Sequence, residues 1–457
     1  MSKLWGGRFK KKTDPDFERF SSSFKWDRKL LPYDLKIDAA YVRALQKCRV
    51  LSASEARKLL GAIKGLERQH QTGTLKLSQN SEDVHSAIQA KLSEKVGALS
   101  DKLHTGRSRN DLVSQSARLY CKDHCGRIAS LISGLQSALV RKAVQTQRVL
   151  VPGMTHLQNA QPLSFAHILL AYVEMLERSK RRFLFGVDLA DVCVLGSGAL
   201  AGSAYRLDQK GMAKALGLSR VTDNSYDVSG DRDFILHLLS CGAFTGTQLS
   251  RMAEDLMIWQ SQGFALADFD EAFCTGSSMM PQKKNADFVE LVRGGAGVFI
   301  GNMIGFLTTL KGLPTSYNRD LQWDKRVLFD TVETLEAILS LLTKFFRSLE
   351  INEKRARELV SDPSLYATDL ADFLVSKGVA FKEAHGQVGA IVSFAENRGL
   401  PISKIGLDLL RQFAPNLDGR VYDLFEASRS VRMKKTQGST NPQEIRKQIK
   451  KWQKVLR

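Results

Sequence analysis

Ten prolines, at positions 15, 32, 152, 162, 281, 314, 363, 401, 415 and 442, leave two stretches of more than a hundred residues with none at all. A helix interior excludes proline, which lacks the N–H and clashes with the preceding turn, so those stretches have room for long helices. The apolar pattern uses that room. From Leu328, the series Val332, Leu335, Leu339, Leu342, Phe346 and Leu349 steps by 4 and 3 through three heptads, the seam of a helix packed at a shallow angle in a bundle. Phe165, Leu169, Tyr172 and Leu176 repeat the spacing. Gly297, Gly301 and Gly305, four apart, clear one helix face for the close approach of another backbone. Strand-like alternation is nearly absent, and no period of 20 to 50 residues recurs. The expectation is an all-α protein of three domains: a helical region over 1–108, a long central bundle over 109–357, and a smaller helical region over 358–457 ending in a basic tail.

Charge and cysteine content narrow the function classes. Lys and Arg outnumber Asp and Glu 67 to 48, a net charge of +19. Ten of those cations lie between Arg429 and Arg457 against one acid, Glu444. There Ile445, Ile449, Trp452 and Leu456 form one apolar stripe, which reads as a terminal helix docked by that stripe with a solvated basic face. No aromatic-interleaved basic motif accompanies the lysines, which argues against nucleic acid. The apolar run Gly294 to Leu310 is 17 residues with five glycines, shorter than the roughly 20 that span a bilayer, so no membrane segment is expected. The amino-terminal stretch has no apolar core of a secretory signal. Six scattered cysteines do not make a disulfide framework, which points to a reducing, cytoplasmic setting. Cys121, His124 and Cys125 lack a second ligand pair at zinc spacing, so no metal is assigned.

Polar islands interrupt the helical pattern at "NSEDVHSAI" (80–88), "HTGRSRND" (104–111), "PGMTHLQNAQP" (152–162) and "CTGSSMMPQKKNAD" (274–287). Each alone has an ordinary structural reading. His156 reads as a helix start, "SED" as an N-cap with acids in the first turn, "GRSRND" as a basic turn into a helix. Together, at the ends of long helices, they describe convergent polar loops. The last has the anatomy of a mobile lid: Gly276 supplies freedom, Pro281 limits collapse, and Lys283, Lys284, Asn285 and a following helix N-terminus favour a carboxylate.

"GSSMMPQKKN" resembles the GSSxMPxKxN signature of the fumarase/aspartase superfamily. "HTGRSRND", "THLQNAQP", "PQKKN" and "YNRDLQWDK" are similar to its argininosuccinate lyase branch, and the similarity runs from "KLWGGRF" at residue 3 through 365–385, about the whole chain. The resemblance implies a homotetramer with a multi-helix core and active sites assembled from three subunits. It implies β-elimination of argininosuccinate to arginine and fumarate by general acid and base groups, with no metal or organic cofactor.

By the same resemblance Ser277 is the base, His156 its acid partner, Glu290 the carboxylate paired with that histidine, and Lys283 and Asn285 the stabilisers of the aci-carboxylate. Ser23, Asn110, Thr155, Tyr317, Gln322 and Lys325 fall on substrate-binding positions, and His85 and Arg109 stand in segments around the site. The chain departs from the family pattern at Ala286, Trp323, Ser21 and Gly295, none an assigned catalytic group. Ala286 and Trp323 leave open a sister lyase acting on another N-substituted aspartate. The +19 charge leaves open a non-enzymatic structural or nucleic-acid-binding role that uses the basic surface.

Overall fold

The computed structural model describes residues 11–456, so the "KLWGGRF" match lies outside the described residues. Helices dominate. After two short helices, Pro15–Ser21 and Phe24–Asp27, come Leu31–Lys47 (α1), Ala53–Gln71 (α2) and Val84–Val96 (α3), followed by Arg109–Thr146 (α4). A hairpin follows, Leu150–Thr155 (β1) with Gln158–Ser164 (β2), and then Phe165–Ala190 (α5), Asp233–Gln260 (α6), Asp287–Leu310 (α7) and Asp324–Ser348 (α8). Ala367–Ser376 (α9), Phe381–Arg398 (α10) and Pro442–Val455 (α11) are the longer helices of the last part. The all-α expectation holds. The β1–β2 hairpin is antiparallel, and two pairings of two residues each complete the strand content of the described residues.

Chain contacts gather into two units. Of the described residues, the first contains 11–130, Ser179–Thr247 and Gly295–Ala337; the second contains Leu131–Arg178, Gln248–Gly294 and 338–456. Each of α4 to α8 contributes one stretch to either unit.

Sequence features account for the local structure. Ser52 and Glu55 close a reciprocal capping box at the start of α2, with bonds of 3.2 and 2.8 Å. The α8 seam is buried as its spacing predicts: Val332 and Leu335 in the first unit, Leu339, Leu342, Phe346 and Leu349 in the second. Each such side chain removed from water contributes about 2 kcal/mol. A charge at Leu335 or Leu342 would break the packing. In the second unit, Leu370 and Leu374 of α9 join Ala384, Val388 and Ile391 of α10 in one apolar cluster. Ile445, Ile449 and Trp452 of α11 are buried while Arg446, Lys450 and Lys454 face solvent, so the last part of the basic tail, Pro442–Val455, is a docked helix.

Two expectations change. "THLQNAQP" is not the start of a helix: Thr155 pairs with Gln158 across a hairpin, and His156 occupies its turn. Pro152 and Pro162 sit opposite one another in the ladder, a position open to proline at a sheet edge. The apolar run from Gly294 lies inside the 24-residue α7, which by length and composition alone could cross a membrane. The run is extended by the turns that precede it, which carry Asp287 and Glu290.

Candidate active site

The signature loop has a pinned base. Thr275 and Asn285 exchange two backbone hydrogen bonds of 3.1 and 2.8 Å, closing residues 276–284 into a hairpin-like loop. Thr275 also donates its hydroxyl to Asp287, and Lys284 Nζ reaches Asp268 at 2.9 Å. Within the loop the Ser277 hydroxyl oxygen accepts backbone N–H groups from Met279 at 3.2 Å and Met280 at 3.0 Å. The Lys283 and Glu290 side chains are exposed and make no hydrogen bond or ion pair among the described residues. Asn285 turns its amide to the Gly276 carbonyl at 3.3 Å. The helix after the loop, α7, carries Asp287 and Glu290 in its first turn; its own carboxylates thus answer part of the anion preference expected of its N-terminus.

His156 stands on the β1–β2 hairpin in the same unit. It and Leu157 form a two-residue turn with φ of 56° and 58°, the sign pattern of a type I′ turn, which normally selects Asn-Gly. Neither residue has that ease. A left-handed conformation at a residue with a Cβ costs roughly 1–2 kcal/mol. A register shift between Gly153 and Met154 adds a bulge just below the turn, a feature that re-aims side chains. His156 and its neighbour Thr155 are exposed, and no hydrogen bond joins either side chain to the signature loop among the described residues.

The expected binding residues Ser23, His85, Arg109, Asn110, Tyr317, Gln322 and Lys325 all belong to the first unit. Several are stitched together. Ser22 donates its hydroxyl to the Ser81 carbonyl at 2.9 Å, and Ser23 N–H donates to the Glu82 carbonyl at 2.9 Å. Gln322 and Arg319 donate to the Ser21 carbonyl at 2.8 and 2.9 Å. Arg109 donates to Ser86 Oγ at 2.8 Å and lies 3.1 Å from Glu82. Asn110 donates to the Ala199 carbonyl at 3.1 Å. Tyr317 is half-buried.

Behind this edge is a buried charge network. Ser23 donates to Asp27 at 2.5 Å, and Asp27 accepts the Val84 N–H at 3.0 Å. Burial pushes the Asp27 carboxyl up to about 6, against the pull of His85, Lys325 and the Ser23 bond. His85 is itself enclosed; its Nδ1 lies 2.5 Å from Asp34 in a close ion pair. Burial works against its charge, but Asp34, Asp83 and Asp27 outweigh that and hold the imidazole at about 9. Asp324 grips Lys325 at 3.1 Å and Arg232 at 2.9 Å, with the Asp324 and Arg232 side chains 1% and 0% exposed. The sequence reading missed Asp27, Asp34, Arg232 and Asp324. Asp27 could have been found four residues after Ser23, and Asp324 beside Lys325, as acids that a buried hydroxyl or lysine requires.

The long-helix scaffold and its serine loop are those of a lyase of the fumarase/aspartase type, as the comparisons with known proteins bear out. The family model described as Lyase matches residues 7–301. Among solved structures, an EDDS lyase variant with bound fumarate is similar at 26% identity and a TM-score of 0.84, covering 98% of this chain and 91% of that one. A class II fumarase from Schistosoma mansoni shares the fold at a TM-score of 0.76 and 17% identity, covering 90% of this chain and 91% of that one. Within that class, the model described as Argininosuccinate lyase C-terminal matches residues 364–432. The argininosuccinate lyase of Pelotomaculum thermopropionicum is 40% identical over 457 residues, covering 100% of this chain and 99% of the relative. That of Bacillus subtilis is 40% identical over 451 residues, covering 99% and 98%. The chain belongs to the argininosuccinate lyase family.

Proposed function

We propose that this chain cleaves argininosuccinate to arginine and fumarate, with Ser277 as base and His156 as acid. A C–H bond beside a carboxylate breaks and its proton passes to the Ser277 oxygen. The electron pair then expels the guanidino nitrogen, which takes a proton from His156, and the carbon–carbon double bond of fumarate forms. Lys283 and Asn285 hold the doubly charged aci-carboxylate, worth roughly 3–4 kcal/mol per well-placed donor. Glu290 orients His156. Thr155, Ser23, Arg109, Asn110, Tyr317, Gln322 and Lys325 position the substrate's carboxylates, amine and guanidinium. His85, enclosed by Asp34, Asp27 and Asp83, supports Ser23 from behind as a positioning residue.

The observation that most favours this reading is the pair of N–H groups on Ser277 Oγ. A serine is a base only as an alkoxide, and two aimed donors stabilise that charge before substrate arrives. The relative whose structure holds fumarate supports the product. The decisive assay is ultraviolet detection of fumarate released from argininosuccinate by the full-length protein. Release only from a different N-substituted aspartate would favour the sister activity.

The assembly we infer is a homotetramer with sites shared between copies. On α7, Leu291 and Val298 flank one side of the Gly297, Gly301 and Gly305 face and Ile304 and Leu307 the other, and they are 73%, 47%, 52% and 49% exposed, apolar side chains that water does not favour. A Cβ added at Gly297, Gly301 or Gly305 would meet nothing within 4 Å. That open, small-residue face suits another long helix. Asn302 on the same helix donates to Asp330 of α8 at 2.8 Å, which favours a bundle partner over lipid. The three-segment organisation over 1–108, 109–357 and 358–457 belongs to this same reading. All six cysteines are free thiols, which favours a reducing cytoplasm.

A further inference from the structure

Apart from the assigned residues, the first unit contains a polar cavity of about 410 Å³. Its floor is a turn in which Gly196, Gly198 and Gly202 take φ of 96°, 59° and 86°, a backbone that glycine adopts without strain. The start of α4 fixes this turn. Asp111 Oδ2 accepts the N–H groups of Gly196 and Gly198 at 3.1 and 3.0 Å, and Asn110 donates to the Ala199 carbonyl at 3.1 Å. The cavity therefore shares its floor with the segment that carries Arg109 and Asn110.

The lining is chemically specific. Ser197 is 1% exposed, yet its Oγ has no hydrogen-bond partner, an arrangement that costs stability unless something answers it. Arg206 and Asp223 line the same space at its mouth, and neither is engaged in an ion pair among the described residues. Ser203, Thr222 and Ser225 add hydroxyls. Ser225 donates to the Leu200 carbonyl at 2.8 Å, which leaves its oxygen to accept, while Thr222 donates to the Asn224 carbonyl at 3.2 Å and accepts the Asn224 N–H at 3.3 Å.

We propose that this cavity binds an α-amino-acid head group, with the carboxylate at Arg206, the ammonium at Asp223 and the orphan Ser197 hydroxyl closing the polar contacts. A purely anionic ligand would meet Asp223 as a like charge, and an apolar one would leave Ser197 and Arg206 unanswered. The head group has two sources, a free amino acid or the amino-acid end of the substrate, and both share this chemistry. Through Asn110 and Asp111, either would stiffen the substrate-binding segment.

The test is equilibrium binding of L-arginine to the full-length protein, compared with agmatine, which lacks the carboxylate, and N-acetyl-L-arginine, which lacks the ammonium. L-arginine binds, and the two analogues bind at least tenfold more weakly. Arg206→Ala and Asp223→Asn, both surface changes, each weaken L-arginine at least tenfold while leaving the melting temperature unchanged. Steady-state fumarate release then separates the sources. A KM for argininosuccinate raised with kcat retained in Arg206→Ala assigns the cavity to the substrate's own end; an unchanged KM with lost response to added L-arginine assigns it to a free effector. Unaltered L-arginine affinity in both variants, or no discrimination against agmatine and N-acetyl-L-arginine, overturns the proposal. L-arginine is also the product of the activity proposed above, so the loss of affinity in Arg206→Ala and Asp223→Asn, which lie outside the assigned residues, is what separates this cavity from that site.

Discussion

Ser277 Oγ and the Met280 backbone nitrogen lie 3.0 Å apart, with the N–H donating to the hydroxyl oxygen. Met279 N–H donates to the same oxygen at 3.2 Å. A hydroxyl that accepts two such bonds is poised to lose its own proton, because the bonds shorten and strengthen as negative charge grows on the oxygen.

Ser277→Ala should lower kcat for fumarate release by about three orders of magnitude or more, since it removes the proton acceptor while the loop anchors at Thr275 and Asn285 remain. The melting temperature should stay within a degree or two of wild type. Stopped assays over hours would reveal a residual rate.

At the hairpin turn, stability and activity should part company. His156→Asn keeps a residue that tolerates φ of 56° but loses the imidazole. It should unfold at equal or higher urea concentration, with kcat reduced about 100-fold or more. Leu157→Gly should gain about 1 kcal/mol by relieving the second left-handed residue. Urea midpoints read both changes.

Alkaline pH should weaken the first unit. His85 titrates at about 9 when folded against 6.5 as a free side chain, so the folded state binds the extra proton between those values. Its contribution is complete below about 6.5 and is lost as pH rises through about 9, a loss of order 3 kcal/mol. Asp27, raised to about 6, acts in the same direction at lower pH. Melting curves from pH 6.5 to 9.5 should fall for wild type and flatten for His85→Asn.

Asp324→Ala should be the most destabilising single change in the binding edge, at about 3–5 kcal/mol, because it strands Arg232 and Lys325 as buried cations. Asp324→Asn, which retains one acceptor, should cost less. Chemical denaturation gives both values.

What could be read from the sequence follows from how local each cause is. The α8 seam from Val332 to Phe346 was legible because burial on one helix face imposes its own spacing, and the docked stripe Ile445, Ile449 and Trp452 for the same reason. The signature residues Ser277, Lys283 and Asn285 were legible as a compact motif. The hairpin at His156 was not, since its first strand is broken by proline and glycine, its second is mostly polar, and its turn contains neither glycine nor asparagine. The Arg232–Asp324 pair was equally hidden: two charges 92 positions apart meet only through packing, and no local pattern announces that meeting.

From the shared-site tetramer proposed above we infer that the serine loop and the histidine hairpin of one reacting site come from different copies of the chain. Co-expressing Ser277→Ala with His156→Asn under separate tags, and isolating the mixed assembly, tests it. Each variant alone is inactive, while random mixing in a shared-site tetramer restores about a quarter of wild-type fumarate release. A mixed assembly as inactive as its parents would contradict the claim.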